Sequence, residues 1–302
     1  MEEVWHYTGF DACLKILETK SLLLSRITDT NDGTDCDWVH NLLEDHFIEK
    51  LAANPSKSEN RRLVATGNKK AILKGDIKVR LSALFGTLAK QASPTAFETF
   101  ITCFSKPCIK NGDDGKLSMW RGYGKEKPVA LVFNAEKLEA LALKSFSGED
   151  KPMMMFNDVI YARGVDELTG PFQNHLEVIE SAFSTVDFTE VDIVGTHEFM
   201  GSLGTLAFAT KHPGFFEEEE VRLAVVLPDP THEEYKAASQ DAAVEVIEGK
   251  RRYRWQIGDA LFDCLEKIVL GPQMEEEAKK LKRYLKSIGR RITVVQSAIP
   301  LR

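Results

Sequence analysis

Short apolar segments rich in strand-forming residues recur along the chain, and they constrain its fold more than any other feature. The clearest are VWHYTG at Val4–Gly9, TAFETFITCFS at Thr95–Ser105, PVALVFN at Pro128–Asn134 and VRLAVVL at Val221–Leu227. Each is bounded by turn-forming or charged residues, which is typical of strands. None approaches the roughly 18 apolar residues that a membrane-spanning helix needs. We therefore predict a sheet protein that is not embedded in a membrane.

Amphipathic helical patterns lie between these segments. One follows the first strand at FDACLKILETK, two run over about 172–186 and 196–210, and a basic one precedes the C-terminal strand. Residues 39–93 are also helical in pattern and form a predicted insertion. With no internal repeat and no low-complexity linker, residues 1–302 are predicted to form a single α+β domain with flanking helices.

The composition is that of a folded protein with an acidic balance. Hydrophobic residues make up 43% of the 302 residues and charged residues 28%, which is ordinary globular usage. The formal net charge of -7 argues against a protein whose whole surface binds nucleic acid, but it permits a local basic patch. Five cysteines without CxxC spacing favour a reducing, cytoplasmic setting, and no metal site is expected.

His6 lies within the first predicted strand, between Trp5 and Tyr7. Because successive side chains of a strand point to opposite faces, His6 points to one face of the sheet and both aromatic residues point to the other. A histidine held on a strand can line a pocket. A half-buried histidine that only completes the core is the other interpretation of the same pattern.

The segment SMWRGYG places Trp120, Arg121 and Tyr123 beside two glycines. Glycine permits close approach of the backbone, and aromatic rings suit stacking on a flat heterocycle. Core packing explains Trp120 equally well. Tyr123, which lies between the two glycines, is predicted to be near a surface cleft.

An acidic run, Glu217–Glu220, leads directly into the predicted strand that begins at Val221. A run of charges is often only a solvated face. If the run continues the strand, Glu218 and Glu220 lie on one side with Arg222 next to them. Two carboxylates held together can stabilise a developing positive charge, and Arg222 could keep one of them ionised.

The order of several motifs resembles the bacterial domain-of-unknown-function family 2971. These motifs are HYTGFDACLKILETKSLLLSRITDTND, ITCFS, MWRGYG, VALVF, TKHPGFFEEEEVRL, IVLGP and SAIPLR. They cover both ends of the chain and most of its middle, whereas residues 39–93 have no counterpart. Membership alone implies no particular activity.

The opening His-x-Thr strand, its helix and the SLLLSR strand are also similar to the start of ADP-ribosyltransferases. This resemblance implies a split mixed or antiparallel sheet and NAD as co-substrate. His6 would bind a ribose of NAD with Thr8 beside it, and Tyr123, together with Trp120, would stack on nicotinamide. Glu220 or Glu218, in an E-x-E arrangement, would assist bond cleavage. Such an enzyme would be a bacterial toxin or anti-phage effector that modifies nucleic acid or protein.

The pyrophosphate of NAD would need a cation, and Arg26 or Arg121 could supply it because a guanidinium matches phosphate oxygens. The sequence contains neither GxGxxG nor GxxxxGK[ST], which disfavours a Rossmann or P-loop nucleotide site.

Two other functions remain open at this point. Arginines interleaved with Tyr253 and Trp255, together with lysines near the C-terminus, could form a nucleic-acid-binding or nucleotide-binding module without enzymatic activity. A catalytically inactive ADP-ribosyltransferase-like sensor domain is the other alternative.

Overall fold

The computed structural model describes residues 3–29, 38–39, 41–47, 97–108, 112–123, 127–148, 151–168, 170–184, 197–228 and 243–299. Most of the predicted insertion, residues 48–93, lies outside this part of the chain. Residues 41–47, which are described, are helical as expected. The predicted division into one domain with an insertion therefore stays a prediction.

The described residues form strands and helices in an interspersed order. The strands are β1 (Glu3–Gly9), β2 (Ser21–Arg26), β3 (Phe97–Ser105), β4 (Pro128–Asn134), β5 (Met153–Asp158), β6 (Ile160–Tyr161), β7 (Thr210–Lys211), β8 (Glu220–Pro228), β9 (Val244–Ile247), β10 (Lys250–Gln256), β11 (Leu265–Leu270) and β12 (Thr293–Gln296). The helices are α1 (Phe10–Thr19), α2 (Leu117–Gly122), α3 (Ala135–Ser145), α4 (Pro171–Ser184), α5 (His197–Ala209), α6 (Ala260–Cys264) and α7 (Glu275–Ser287). The predicted α+β class is confirmed.

One open, mixed sheet of ten strands organises the fold, and β3 is its branching point. β8 pairs antiparallel with β3 over nine residues, from Phe97 to Ser105, and so occupies one edge of β3 completely. β1 and β2 must therefore share the other edge, where β1 pairs at Ser105 and β2 pairs at Ile101 and Phe100. From β1 the sheet continues through β4, β11 and β12, and from β2 through β10 and β9.

Both faces of this sheet are covered by apolar side chains. β4 is buried along almost its whole length, as its unbroken apolar sequence predicts. On one face, strand residues such as Val4 and Phe104 pack with α1, α3 and α7 in the largest core cluster. On the other, Trp5 and Tyr7 pack with Trp120, while a separate cluster forms around α4 and α5.

Within the described residues, no helix combines the length and apolar character required to cross a bilayer.

Candidate functional site

A cluster of charged side chains, most of them buried, lies where β3 ends and β8 begins. We call it the charge cluster, and its members are Lys116, Lys211, Glu218, Glu219, Glu220 and Arg222. Lys211 and Arg222 are each 1% exposed and Glu220 is 3% exposed. Charged side chains are almost never buried to this extent unless they are paired. Here three basic and three acidic groups balance each other.

The strand register explains how β8 contributes to the cluster. Glu220 lies opposite Ser105 and Arg222 opposite Cys103, and paired residues of neighbouring strands project from the same face. Glu220 and Arg222 therefore share one side, as the sequence predicted.

Glu218 reaches the cluster by a different route from the one predicted. It belongs to a 3-10 turn, Pro213–Glu218, and Glu219 follows in a left-handed conformation with φ of 42°. The strand begins only at Glu220, so the alternation assumed for Glu218 and Glu220 is wrong. The turn-forming His-Pro-Gly sequence before the acidic run ends any extended backbone there. The two carboxylates converge because both contact Lys211.

Glu220 is held by two cations. Arg222 donates hydrogen bonds to Glu220 from Nε at 2.6 Å and from Nη2 at 3.2 Å, and Lys211 Nζ lies 3.1 Å from Oε2. Burial alone would raise the pKa of Glu220, but the charges and hydrogen bonds of Arg222 and Lys211 bring this pKa below its ordinary value. Glu220 is therefore a carboxylate at neutral pH.

Lys116 fastens the turn before β8 to the end of β3. Its Nζ donates to Ser105 Oγ at 2.9 Å and to the carbonyl of Glu218 at 3.1 Å, and it pairs with the Glu219 carboxylate at 2.7 Å. Its backbone N–H donates to the hydroxyl of Tyr7. Through its ammonium and its backbone N–H, Lys116 thus connects β1, β3 and the turn that carries Glu218.

Tyr123 lies close enough to the charge cluster to interact electrostatically with Glu218 and Glu220. Burial raises the pKa of its phenol, and the negative charges of Glu218 and Glu220 raise it further. The phenol is therefore neutral at physiological pH. Tyr123 follows directly after α2 and is half-buried, and its predicted position near a cleft stays a prediction.

His6 lies on β1, beside the gap along β3 between the residue that pairs with β1, Ser105, and those that pair with β2, Ile101 and Phe100. Its Nδ1 is 3.0 Å from the carbonyl oxygen of Cys103, and since a carbonyl only accepts, Nδ1 carries the proton. Burial lowers the pKa of His6, and this hydrogen bond offsets the effect only in part. The neutral ring therefore has a lone pair on Nε2 that can accept a hydrogen bond.

Cys103 connects His6 with Glu220. Its carbonyl accepts from His6, and its thiol donates to the Glu220 carboxylate. Trp5, Ser105 and Glu220 share one face of the sheet through their pairing, so His6 leaves β1 toward the opposite face. His6 and Glu220 thus contact the same residue from two sides.

The other predicted site residues differ in their burial and in their contacts. Thr8 is half-buried on β1, two residues after His6. Trp120 is 1% exposed, with its ring against Tyr7 and Nε1 donating to the carbonyl of Asp114. Arg121 is exposed. Arg26, the last residue of β2, pairs with Phe100 in the middle of β3, and its Nε lies 3.6 Å from Glu98 Oε1. The roles predicted for these residues stay predictions.

Sequence reasoning assigned no role to Lys116, Lys211 or Ser105. A signal for Lys211 exists, because it lies between an apolar helical pattern and a run of four glutamates. A lysine in such a position needs a carboxylate partner if it is buried. Ser105 and Lys116 have no comparable local signal, since both contact the carbonyl of Glu218, which lies more than one hundred positions away.

The arginine and aromatic residues near residue 253 are largely engaged in the sheet. They form β10, in which Tyr253 and Trp255 are buried. Arg251 pairs with both carboxylate oxygens of Glu98, and Arg254 does the same with Glu245. These contacts leave the aromatic rings inside the protein, where they cannot stack on bases.

No group of three or more His, Cys, Asp or Glu side chains in the described part is arranged to hold a metal ion. No curated protein and no solved structure matches the chain. Residues 119–223, which include Lys211, Glu218, Glu220 and Arg222, match the family described as "Protein of unknown function (DUF2971)", and the predicted family resemblance is thereby confirmed.

Proposed function

We propose that this protein is an NAD-dependent ADP-ribosyltransferase-like enzyme that acts on nucleic acid or protein as a bacterial toxin or anti-phage effector. The observation that most supports the proposal is the pair of carboxylates, Glu218 and Glu220, held by the buried ammonium of Lys211. Glu220 lies beside Cys103, whose carbonyl accepts a hydrogen bond from His6. Tyr123 and the two glutamates thus lie at the end of β3, and His6 approaches the same end from the opposite face of the sheet.

The reaction would break the bond between C1′ of ribose and the nicotinamide nitrogen. The electron pair of this bond leaves with nicotinamide, and the ribose acquires oxocarbenium character, as in glycoside cleavage. A nucleophile of the acceptor then bonds to C1′ and gives up its proton. A carboxylate near the ribose would stabilise the developing charge, and such electrostatic contributions are typically about 3–4 kcal/mol.

The two glutamates differ in the way that this chemistry requires. Both oxygens of Glu220 are already bound by Arg222 and Lys211, and the side chain is 3% exposed. The Glu218 side chain is 17% exposed. We therefore assign contact with the ribose to Glu218. Glu220 is the positioning residue, because it fixes the lysine that Glu218 contacts.

The remaining predicted residues have properties that suit their roles. The Nε2 lone pair of His6 would accept a hydrogen bond from a ribose hydroxyl, with Thr8 beside it. The neutral ring of Tyr123 would stack on nicotinamide. Arg26 or Arg121 would bind the pyrophosphate of NAD, since a guanidinium pairs with two phosphate oxygens at once.

The test is to incubate the purified full chain with labelled NAD, with and without bacterial lysate. Transfer of label to a macromolecule and release of nicotinamide are expected from the wild type. Glu218→Gln should lower the rate about 100- to 1,000-fold, the usual effect of removing one such group, without lowering thermal stability comparably. Glu217→Gln is the matched control, because Glu217 belongs to the same acidic run but is exposed, and it should keep full activity.

Two results would overturn the proposal. One is the absence of transfer, nicotinamide release and NAD binding in the wild type. The other is NAD binding without any turnover in lysate or alone, which would instead identify a sensor domain.

A further inference from the structure

A groove lined by basic side chains lies between α7 and the segment that leads into β12. Its cavity has a volume of about 490 Å³. Four cationic residues line it, Lys282, Lys286, Arg290 and Arg291. No acidic side chain is among the described residues that line this groove. We call it the basic groove.

The end of α7 creates the concave shape. Gly289 has φ of 71°, a left-handed conformation that glycine adopts without strain. The N–H of Arg290 then donates to the carbonyl of Leu285 at 2.9 Å, which turns the chain back along the helix. Arg290 and Arg291 are consequently brought beside the last two turns of α7.

Complementing the helix dipole does not account for this concentration of charge. α7 has three glutamates in its first turn, and Lys286 alone is basic in its last turn, which is the arrangement that the dipole favours. Lys282 precedes that last turn, and Arg291 lies beyond the helix. Arg290 is partly neutralised by Asp259 at 2.8 Å. Lys282, Lys286 and Arg291 are all exposed, and no ion pair is seen for them within the described part.

Converging cations in a groove attract an anion with several charges. On a chain with a formal net charge of -7, this local excess of positive charge differs in sign from the protein as a whole. Lys282 and Lys286 are four residues apart, so their side chains lie side by side along one helix face. A phosphodiester backbone can enter a concave groove and present successive phosphates to such a row, whereas a flat lipid surface cannot.

We infer that the basic groove binds the phosphate backbone of a single-stranded nucleic acid. Lys282 and Lys286 would contact neighbouring phosphates as point charges, and Arg291 would pair with phosphate oxygens through its guanidinium. This inference concerns binding alone and does not depend on NAD chemistry. The extension that the groove recruits nucleic acid as the acceptor of ADP-ribose rests on the proposed function.

The experiment measures fluorescence anisotropy of a labelled single-stranded oligonucleotide of mixed sequence with the full chain, in the absence of NAD. Three or four phosphate contacts predict a slope of log K against log salt of about −2 to −3. Affinity should therefore fall roughly 20- to 50-fold between about 50 and 200 mM salt. The variant Lys282→Gln/Lys286→Gln/Arg291→Gln should bind at least about tenfold more weakly at the lower salt and reduce the slope by about 2.

A control variant with the same change of charge separates the groove from general electrostatics. Lys15→Gln/Lys144→Gln/Lys250→Gln removes three exposed lysines from α1, α3 and β10, and it should retain nearly wild-type binding. An equal loss in both variants, or no binding by the wild type at low salt, would overturn the inference. Binding to anionic phospholipid vesicles but not to the oligonucleotide would also overturn it and assign the groove to membranes.

Failure here is distinguishable from failure of the proposed function, since oligonucleotide binding and nicotinamide release are measured separately. If the triple variant is unstable by circular dichroism, Lys286→Gln and Arg291→Gln alone give the same test. Each should reduce the salt slope by about 0.7, whereas unchanged slopes would contradict the inference.

Discussion

Replacing Glu220 with glutamine should destabilise the protein strongly. The substitution keeps the shape of the side chain but removes one of three negative charges from the charge cluster. Lys211 and Arg222, each 1% exposed, would then compete for the carboxylate of Glu218, which already pairs with Lys211. Breaking a buried ion pair by removing one partner typically costs about 3–5 kcal/mol. We expect a loss of this size in the free energy of unfolding.

Denaturant titration of the wild type and the variant measures this loss, and the slope against denaturant should not change. Near the melting temperature, about 3 kcal/mol corresponds to a fall of roughly 5 °C for a domain of about 300 residues. Glu217→Gln, in the same run but exposed, should change stability by less than about 0.5 kcal/mol. A loss below about 1 kcal/mol for Glu220→Gln would show that water or other groups compensate Arg222, and would refute the reasoning.

A second substitution tests the origin of the effect. In Glu220→Gln/Arg222→Met, the charges that remain pair as Lys211 with Glu218 and Lys116 with Glu219. Because no buried cation then lacks a partner, part of the lost stability should return. Additive losses in a double-mutant cycle would contradict the assignment of the cost to the lost ion pair between Glu220 and Arg222.

Two further predictions concern acid stability and backbone geometry. Since the pKa of Glu220 is lower in the folded protein than the ordinary value of a glutamate, its ionised form contributes stability above that ordinary value, and the contribution is lost as pH falls through the folded pKa. Urea titrations between about pH 6 and 3 should therefore show a steeper loss for the wild type than for Glu220→Gln, and parallel curves would contradict this. Gly115→Ala should lower the free energy of unfolding by more than about 2 kcal/mol, because φ is 73° and the added Cβ would lie 2.8 Å from Trp120 and 2.9 Å from the Tyr7 hydroxyl. Gly249→Ala, at φ of 75° with open space around it, should cost only the backbone strain of about 1–2 kcal/mol, and equal losses would exclude the steric explanation.

Local patterns in the sequence identified most of the strands and helices. The strand PVALVFN was predicted with the bounds that β4 has, and the strand ending at Ser105 ends there in the structure. The helix and strand at the C-terminus were also predicted correctly. These successes depend on periodicity and turn residues, which each segment carries within itself.

Strand pairing and buried ion pairs could not be predicted in this way. β3 lies between β8 on one edge and β1 with β2 on the other. Its pairing with β1 and with β8 joins residues that are one hundred or more positions apart in the sequence. The arginines of β10 looked free to bind nucleic acid because their partner Glu98 is 153 positions from Arg251. Glu218 was misplaced for the opposite reason, since the local turn overrode the alternation assumed from its neighbours.

Stability alone does not explain why charges occupy the interior at the start of β8. Well-packed apolar side chains of similar volume are often as stabilising as a buried ion pair or more so, and both flanking clusters of this fold show that apolar packing is available nearby. What apolar residues cannot do is hold a second carboxylate, Glu218, in a fixed place at the edge of the buried region. Groups whose pKa is shifted by specific charge partners also concentrate at functional sites. The composition of the charge cluster is therefore the one that the proposed function requires at this end of β3.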